Sequence, residues 1–244
     1  MSERATIVEA QAPLLQLAGV RAAYGRIEVL QGVDLVVPEG SVVALLGPNG
    51  GGKTTTLKVA SAQMVPTAGC VHIAGRHVNG ASPDALARIG VCTIPEGRGI
   101  FPNLSVRENL RMVTYAGVSL ADVEERAYAR FPRLAERRTQ VAGTLSGGEQ
   151  QMLAMARALA TDPALLLLDE LSMGLAPIIV SQLYEIVAQV AGEGVSILVV
   201  EQFARTVLSV ADYAAIMLHG RVTAVGQPAD LEDELSAAYL GADA

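Results

Sequence analysis

Apolar and polar positions follow three different rhythms along the chain. Leu14 to Val20 and Ile27 to Val37 alternate enough to predict antiparallel strands of an opening sheet, and Tyr24-Gly25 between them is a turn signal. Ser41 to Leu46 is continuously aliphatic, as expected of a strand buried on both faces. A glycine-rich turn follows, and Lys53 to Ala62 continues as a helix. Further strands are predicted at Cys70 to Ala74, Ile89 to Ile94, Ala164 to Leu168 and Val195 to Val200. Helical spacing predicts helices at Gly147 to Ala160, Ile178 to Ala191 and Phe203 to Val210. Ala214 to Leu218 and Arg221 to Ala224 read as a terminal hairpin around His219-Gly220.

Residues 103 to 140 have another character. They are rich in Arg and Glu, lack long β-branched runs, and read as helices broken near Gly117 and Pro132. The pattern predicts a mostly parallel α/β core with a helical insertion at about 97 to 160. No internal repeat or low-complexity linker interrupts it.

Composition narrows the functional classes. The longest apolar stretches, such as Ala164 to Leu168 and Val195 to Val200, are far shorter than the roughly 20 residues a spanning helix needs. Residues 1 to 13 are mixed and polar, which predicts a flexible tail rather than a signal peptide, and residues 14 to 244 then form one domain. A cytosolic chain whose membrane attachment comes through a partner is the expectation. The net charge of −7 disfavours non-specific binding to nucleic acid. Eight of the sixteen arginines fall between residues 97 and 138, either as a solvated helical surface or as an acidic docking site. Cys70 and Cys92 have no metal-ligand spacing, and His72, His77 and His219 do not cluster into a metal site. The only two lysines are Lys53 and Lys58, which makes a lysine inside a glycine loop conspicuous.

That loop, Gly47-Pro48-Asn49-Gly50-Gly51-Gly52-Lys53-Thr54, has the form of a phosphate cradle between a strand and a helix. Its glycines let backbone N–H groups turn onto a β-phosphate, aided by the helix N-terminus that continues through Thr55. Lys53 would bridge the β- and γ-phosphates, and the Thr54 hydroxyl would ligate Mg²⁺. Leu165 to Glu170 supplies the matching acidic strand. Asp169 can hold Mg²⁺ through water, and Glu170 can polarise an attacking water; an acidic capping turn is the plainer alternative. Between the two lies Leu145-Ser146-Gly147-Gly148-Glu149-Gln150. A serine hydroxyl and bare glycine N–H groups at a helix start make a second anion site. The plainer alternative is an N-cap with Glu149 as its partner.

Together these motifs resemble the ATP-binding cassette (ABC) superfamily, and the resemblance runs from about residue 14 onward. It implies an α/β P-loop NTPase (RecA-like) core with an antiparallel β subdomain and an inserted helical subdomain. It further implies that Ser146, Gly147, Gly148 and Glu149 serve ATP bound by an opposing subunit, that Tyr24 stacks on adenine, and that ATP and Mg²⁺ are the cofactors. Three loops depart from the general family pattern: Glu96 stands for a glutamine that touches Mg²⁺ and water, Ala176 for an aspartate, and Gln202 for a switch histidine. Taken together, Pro95-Glu96-Gly97-Arg98, Ser172-Met173-Gly174-Leu175-Ala176-Pro177 and Val200-Glu201-Gln202 resemble the cassettes of branched-chain amino acid importers. Ala238-Tyr239-Leu240-Gly241 fits that subgroup too, whereas Leu171 and Phe203 replace its usual proline and asparagine. The resemblance implies catalytic roles for Glu170, Gln202 and Glu96. Its implied partners are transmembrane permease subunits, a second cassette and, indirectly, an extracytoplasmic substrate-binding protein, at the cytoplasmic face of the membrane. A cassette of another transporter with low turnover, or a soluble ABC ATPase, are the rival readings.

Overall fold

The computed structural model describes residues 13–97, 99–202, 204–231 and 234–235. The chain opens with β1 (Pro13–Tyr24), β2 (Ile27–Pro38), β3 (Val42–Leu46), α1 (Lys53–Ala60), β4 (Ala68–Ile73), β5 (Arg76–His77), α2 (Pro83–Arg88) and β6 (Val91–Ile94). A helical stretch follows, with α3 (Val106–Arg111), α4 (Leu120–Arg130), α5 (Pro132–Glu136) and α6 (Gly147–Leu159). It closes with β7 (Leu165–Asp169), α7 (Pro177–Gly192), β8 (Ser196–Glu201), α8 (Ala204–Leu208), β9 (Tyr213–Leu218) and β10 (Arg221–Gly226). Arg98, Phe203 and the closing Ala238 to Gly241 lie outside the described residues, as does the expected tail over residues 1–12. Pro13, read from the sequence as part of that tail, is the first residue of β1 and pairs with Pro38.

Six strands form the central sheet in the order β10-β9-β3-β8-β7-β6, with β9, β3, β8, β7 and β6 parallel and β10 antiparallel. The other four form an antiparallel sheet, β2-β1-β4-β5. The aliphatic runs are continuous because the central sheet separates two cores. In β3, Val42, Ala44 and Leu46 face one core and Val43 and Leu45 the other. Likewise Leu166 and Leu168 of β7 oppose Leu165 and Leu167, and Ile197 and Val199 of β8 oppose Leu198 and Val200. The first core is filled from α6 and α7 by Leu153, Met155, Leu183 and Tyr184, with Val106, Leu110 and Leu134 of the helical stretch behind them. The second is filled by the antiparallel sheet (Leu15, Leu17, Leu30, Val71) and by Leu57 of α1.

The helical breaks fall where the sequence puts them, for backbone reasons. Gly117 takes φ +88° after a 3-10 turn at Met112–Ala116, and Phe131, before Pro132, leaves the helical region at φ −130°, ψ 74°. The sequence reading misses α2, whose start is marked by Ser82 accepting from the Ala85 N–H at 3.2 Å and by Pro83 in the first turn. Only Leu86 of that helix is buried, so its periodicity is faint. The strand expected from Ile89 begins at Val91, because Ile89 ends α2 and Gly90 turns the chain at φ +89°. The strand expected to end at Val200 runs on to Glu201, which pairs with Leu46.

The β9–β10 hairpin fastens the two sheets together. His219 and Gly220, both at positive φ (+49° and +75°), make the two-residue turn whose twist suits a hairpin. The Gly220 N–H donates to the Gly51 carbonyl at 2.8 Å, and its own carbonyl accepts from the Gln31 N–H at 2.9 Å. A Cβ on Gly220 would sit 2.0 Å from the Val29 carbonyl oxygen. Gly220→Ala is therefore expected to lower stability by about 2–4 kcal/mol, through strain and loss of both ties. Equilibrium denaturation measures this, and a loss below about 0.5 kcal/mol would show that the hairpin shifts without cost.

Candidate active site

The glycine loop joins the C-terminal end of β3 to α1, and close packing selects its glycines. Gly47 adopts φ +153°, and a Cβ there would come 2.1 Å from the Met217 carbonyl oxygen of β9. Gly52, the N-cap of α1 at φ +107°, would meet the Met217 methyl at 2.9 Å and Leu30 at 3.0 Å. No side chain caps α1, so the N–H groups of its first turn are left for a ligand in the loop. Pro48 and Gly51 close a turn (N···O 3.2 Å) that presents Asn49 and Gly50 at the exposed tip. Lys53 is buried; its Nζ donates to the carbonyls of Gly47 at 2.9 Å and Pro48 at 3.1 Å, holding the loop around the ammonium. Burial lowers its pKa, while Glu170, Asp169 and Glu201 pull in the other direction.

Strand register brings the acidic residues to this loop. Leu46 pairs with Glu201 and Val200 with Asp169, while Leu168 pairs with Ile94. The residues after these four strand ends therefore emerge side by side at one sheet edge, where ligands bind in open α/β sheets. The buried Asp169 carboxylate accepts from the Thr54 hydroxyl at 3.3 Å. Burial pushes its pKa up to about 6; the Thr54 bond and Lys53 oppose the rise, and Glu170 and Glu96 add to it. Glu170 adopts φ +49°, rare for a residue with a side chain, and its N–H donates to the Val200 carbonyl at 2.9 Å. Its pKa is raised by burial, against Lys53 and with Glu96 and Glu201. Glu96 follows β6 on an exposed loop and, with Thr54, Lys58, Thr93 and Asp169, lines a cavity of about 230 Å³. Gln202 directly follows β8.

Sequence reasoning treated Glu201 only as a letter in a motif. It is 1% exposed. Its Oε1 accepts from the Ser172 N–H at 2.9 Å and the Tyr184 hydroxyl at 2.6 Å, and its Oε2 accepts from the Ser172 hydroxyl at 2.9 Å. The signal was present in the sequence: a carboxylate ending an otherwise aliphatic strand needs partners if it is to stay buried.

The second anion site is assembled elsewhere. Ser146 is the N-cap of α6 and forms a full capping box with Glu149, its hydroxyl donating to Glu149 at 2.7 Å and its N–H at 2.9 Å. The plainer N-cap reading thus describes the local geometry. Arg137 Nε lies 2.9 Å from the other Glu149 oxygen, but its N–H is not aimed at it, so the contact is an ion pair only. Burial of Glu149 opposes ionisation, yet the Ser146 bonds together with Arg137 and Arg133 hold its pKa below the ordinary value. Gly147 begins α6, and a Cβ on Gly148 would strike Ile179 of α7 at 2.6 Å, a packing requirement the sequence did not reveal. Helix α6 packs among α3, α4, α5, α7 and β6, whereas α1 packs on β1, β2, β7 and β8. Within one chain the glycine loop and the Ser146 helix start thus belong to different elements. Tyr24, at the end of β1, is 48% exposed beside α1. Hydrogen bonding to Thr55 lowers its pKa, with Lys58 Nζ 3.3 Å from its hydroxyl and 5.6 Å from its ring centre.

Known proteins resemble this chain in sequence and in fold. The family model for ABC transporters matches residues 30–172. The chain is 40% identical over 236 residues to a high-affinity branched-chain amino acid transport ATP-binding protein, BraG, of Pseudomonas aeruginosa, covering 93% of this chain and 100% of that one. It is 37% identical over 229 residues to a Nod factor export ATP-binding protein of Cupriavidus pinatubonensis, covering 93% of this chain and 70% of the relative. Among solved structures, the ATP-binding subunit of an ABC transporter superposes with a TM-score of 0.82 at 29% identity, over 95% of this chain and 100% of that one. A glycine cradle beside an acidic strand end, a separate capped helix start and this similarity over nearly the whole length have one explanation: the chain belongs to the ABC transporter family, as an ATP-hydrolysing cassette.

Proposed function

We infer that the cassette hydrolyses ATP where β3, β7 and β8 end, and that it powers a membrane importer of branched-chain or related amino acids. The observation that carries the hydrolytic part is the ladder register, which sets Lys53, Asp169, Glu170 and Gln202 at one sheet edge. The full-length similarity to a branched-chain amino acid transport cassette supports the substrate class. The relative named for Nod factor export favours a second reading, an export cassette, although the chain spans only 70% of that protein.

The residues divide the work as follows. The N–H groups of the loop and of Lys53, Thr54 and Thr55 bind the β- and γ-phosphates, and Lys53 Nζ exchanges the Gly47 and Pro48 carbonyls for phosphate oxygens. Tyr24 offers its exposed ring to the adenine. Glu170 and Glu96 lie close enough to Asp169 to raise its proton affinity, Glu96 also raises that of Glu170, and the Thr54 hydroxyl donates to Asp169. Such a donor set fits a hard divalent cation. Mg²⁺ would be held by the Thr54 hydroxyl and by Asp169, with Glu96 beside them, and would neutralise charge on the phosphates. Among the described residues no three His, Cys, Asp or Glu side chains converge as a metal site, and nucleotide and water would supply the remaining ligands. Glu170 accepts a proton from water as the water oxygen bonds to the γ-phosphorus. The bond from that phosphorus to the bridging oxygen breaks, and the electron pair leaves with ADP. Gln202 donates a hydrogen bond to the γ-phosphate. Ser146, Gly147 and Gly148, with Glu149 orienting the serine, grip the nucleotide of a second cassette.

Residues 14–244 act as a single unit in this scheme, with about 97–160 as the helical subdomain that relays closure. The partners are a second cassette, two permease chains and, through them, an external substrate-binding protein; no nucleic acid is involved. No helix among the described residues is long and apolar enough to cross a membrane, so attachment at the cytoplasmic face would be peripheral, through the permeases.

Three outcomes are expected. Glu170→Gln should cut turnover by roughly 10²-fold or more while ATP still binds and a dimer is trapped; near-normal hydrolysis would remove Glu170 from the mechanism. Glu96→Gln should raise the half-saturating Mg²⁺ concentration about threefold to tenfold, a cost of up to about 1.4 kcal/mol; an unchanged titration curve takes Glu96 out of the metal's surroundings. Cells lacking this chain should take up less labelled leucine, isoleucine or valine, with uptake restored by the wild type but not by Glu170→Gln. Unaltered uptake of all three would refute the substrate class and leave the ATPase reading standing.

A further inference from the structure

Glu201 is the most elaborately satisfied buried charge among the described residues, and the reaction scheme above gives it no task. Its carboxylate collects donors from two separate segments. Ser172, two residues beyond Glu170, provides both its N–H and its hydroxyl, and Tyr184 of α7 provides a third donor from inside the core. Between β7 and Ser172 the backbone makes an abrupt turn. Glu170 sits at φ +49°, its N–H is tied to Val200, and its carbonyl accepts from the Met173 N–H at 3.2 Å. A residue with a side chain stays in that region only where its surroundings overdetermine it. The Val200 carbonyl and the Glu201 carboxylate, consecutive residues of β8, provide that constraint on either side of Leu171.

We propose that Glu201 is a positioning residue for hydrolysis: it clamps the Glu170–Ser172 turn to the end of β8 and to α7, and so aims the Glu170 carboxylate at the attacking water. The inference rests on Glu170 being the base. An apolar side chain could fill the same space without the desolvation cost of a buried carboxylate, which favours an orienting role over simple packing. Ser172 and Tyr184 are the clamp's other half.

The test is a set of variants read by kcat, KM for ATP, nucleotide affinity and melting temperature. Glu201→Ala should lower kcat by roughly tenfold to a hundredfold, the scale of about 1 Å misplacement of a reacting group, with KM and nucleotide affinity within about twofold of wild type. Glu201→Gln should recover most of kcat: its amide oxygen can accept from the Ser172 N–H and Tyr184, and its NH₂ can donate to the Ser172 hydroxyl. Tyr184→Phe and Ser172→Ala each remove one side-chain donor and should lower kcat by about threefold to tenfold in the same pattern; they decide the matter if Glu201→Ala fails to fold. In a Glu170→Gln background, Glu201→Ala should change the residual rate by less than about twofold, because the residue it positions is already disabled. A multiplicative loss in that background, a rise in KM matching the fall in kcat, or no rescue by Glu201→Gln would each overturn the proposal. Near-normal hydrolysis by Glu170→Gln alone would overturn the assignment of the base and the clamp with it, an outcome read from a different protein.

Discussion

The register of the parallel ladder through β3, β8 and β7 is the constraint on which the rest of the site depends. Hydrogen bonding from Leu46 to Glu201 and from Val200 to Asp169 leaves the glycine loop, Glu170 and Gln202 emerging from adjacent strands on one edge. A slip of one residue in any of these strands would exchange its two faces and turn residues of one core into the other. The alternating division of Val42 to Leu46 and Leu165 to Leu168 between two cores forbids the slip. Apolar packing on both faces of the sheet thus sets the position of polar groups that touch neither core.

At that edge, charge is unbalanced by design of position. Asp169, Glu170 and Glu201 act on the Lys53 ammonium, Glu96 lies beside Asp169, and the pKa of Asp169 rises to about 6 while that of Glu170 is also raised. Burial drives both shifts, and mutual repulsion among the carboxylates reinforces them. Glu201 differs from the other three because protein donors already satisfy it. It holds shape, while its neighbours await a ligand.

The two helix starts show opposite solutions to the same problem of unpaired N–H groups. In α1 the cap is a left-handed glycine and the first turn is left for a ligand, whereas in α6 the Ser146–Glu149 capping box satisfies the start internally. A ligand at α6 must compete with Glu149 for the Ser146 proton. The two helices pack on different elements, so the two solutions are independent within the chain.

Much of this was legible in the sequence. The aliphatic runs from Ser41 to Leu46 and Leu165 to Leu168 announced strands covered on both faces, Gly117 and Pro132 announced helix breaks, and the run of Gly47 to Thr54 announced a glycine loop between a strand and a helix. These features are local: each follows from backbone freedom or from the period of apolar positions within a few residues. Other features depend on partners far away in the chain. Gly47 is selected by the Met217 carbonyl and Gly220 by that of Val29. Glu201 can be buried only because Ser172 and Tyr184, 29 and 17 residues away, bring their donors to it. By itself the sequence determined the strands, the helices and the chemistry that each loop could carry. The tertiary structure alone decided which loops meet, which glycines are compulsory and which carboxylate is an anchor, because steric contact and hydrogen-bond satisfaction are set by neighbours in space.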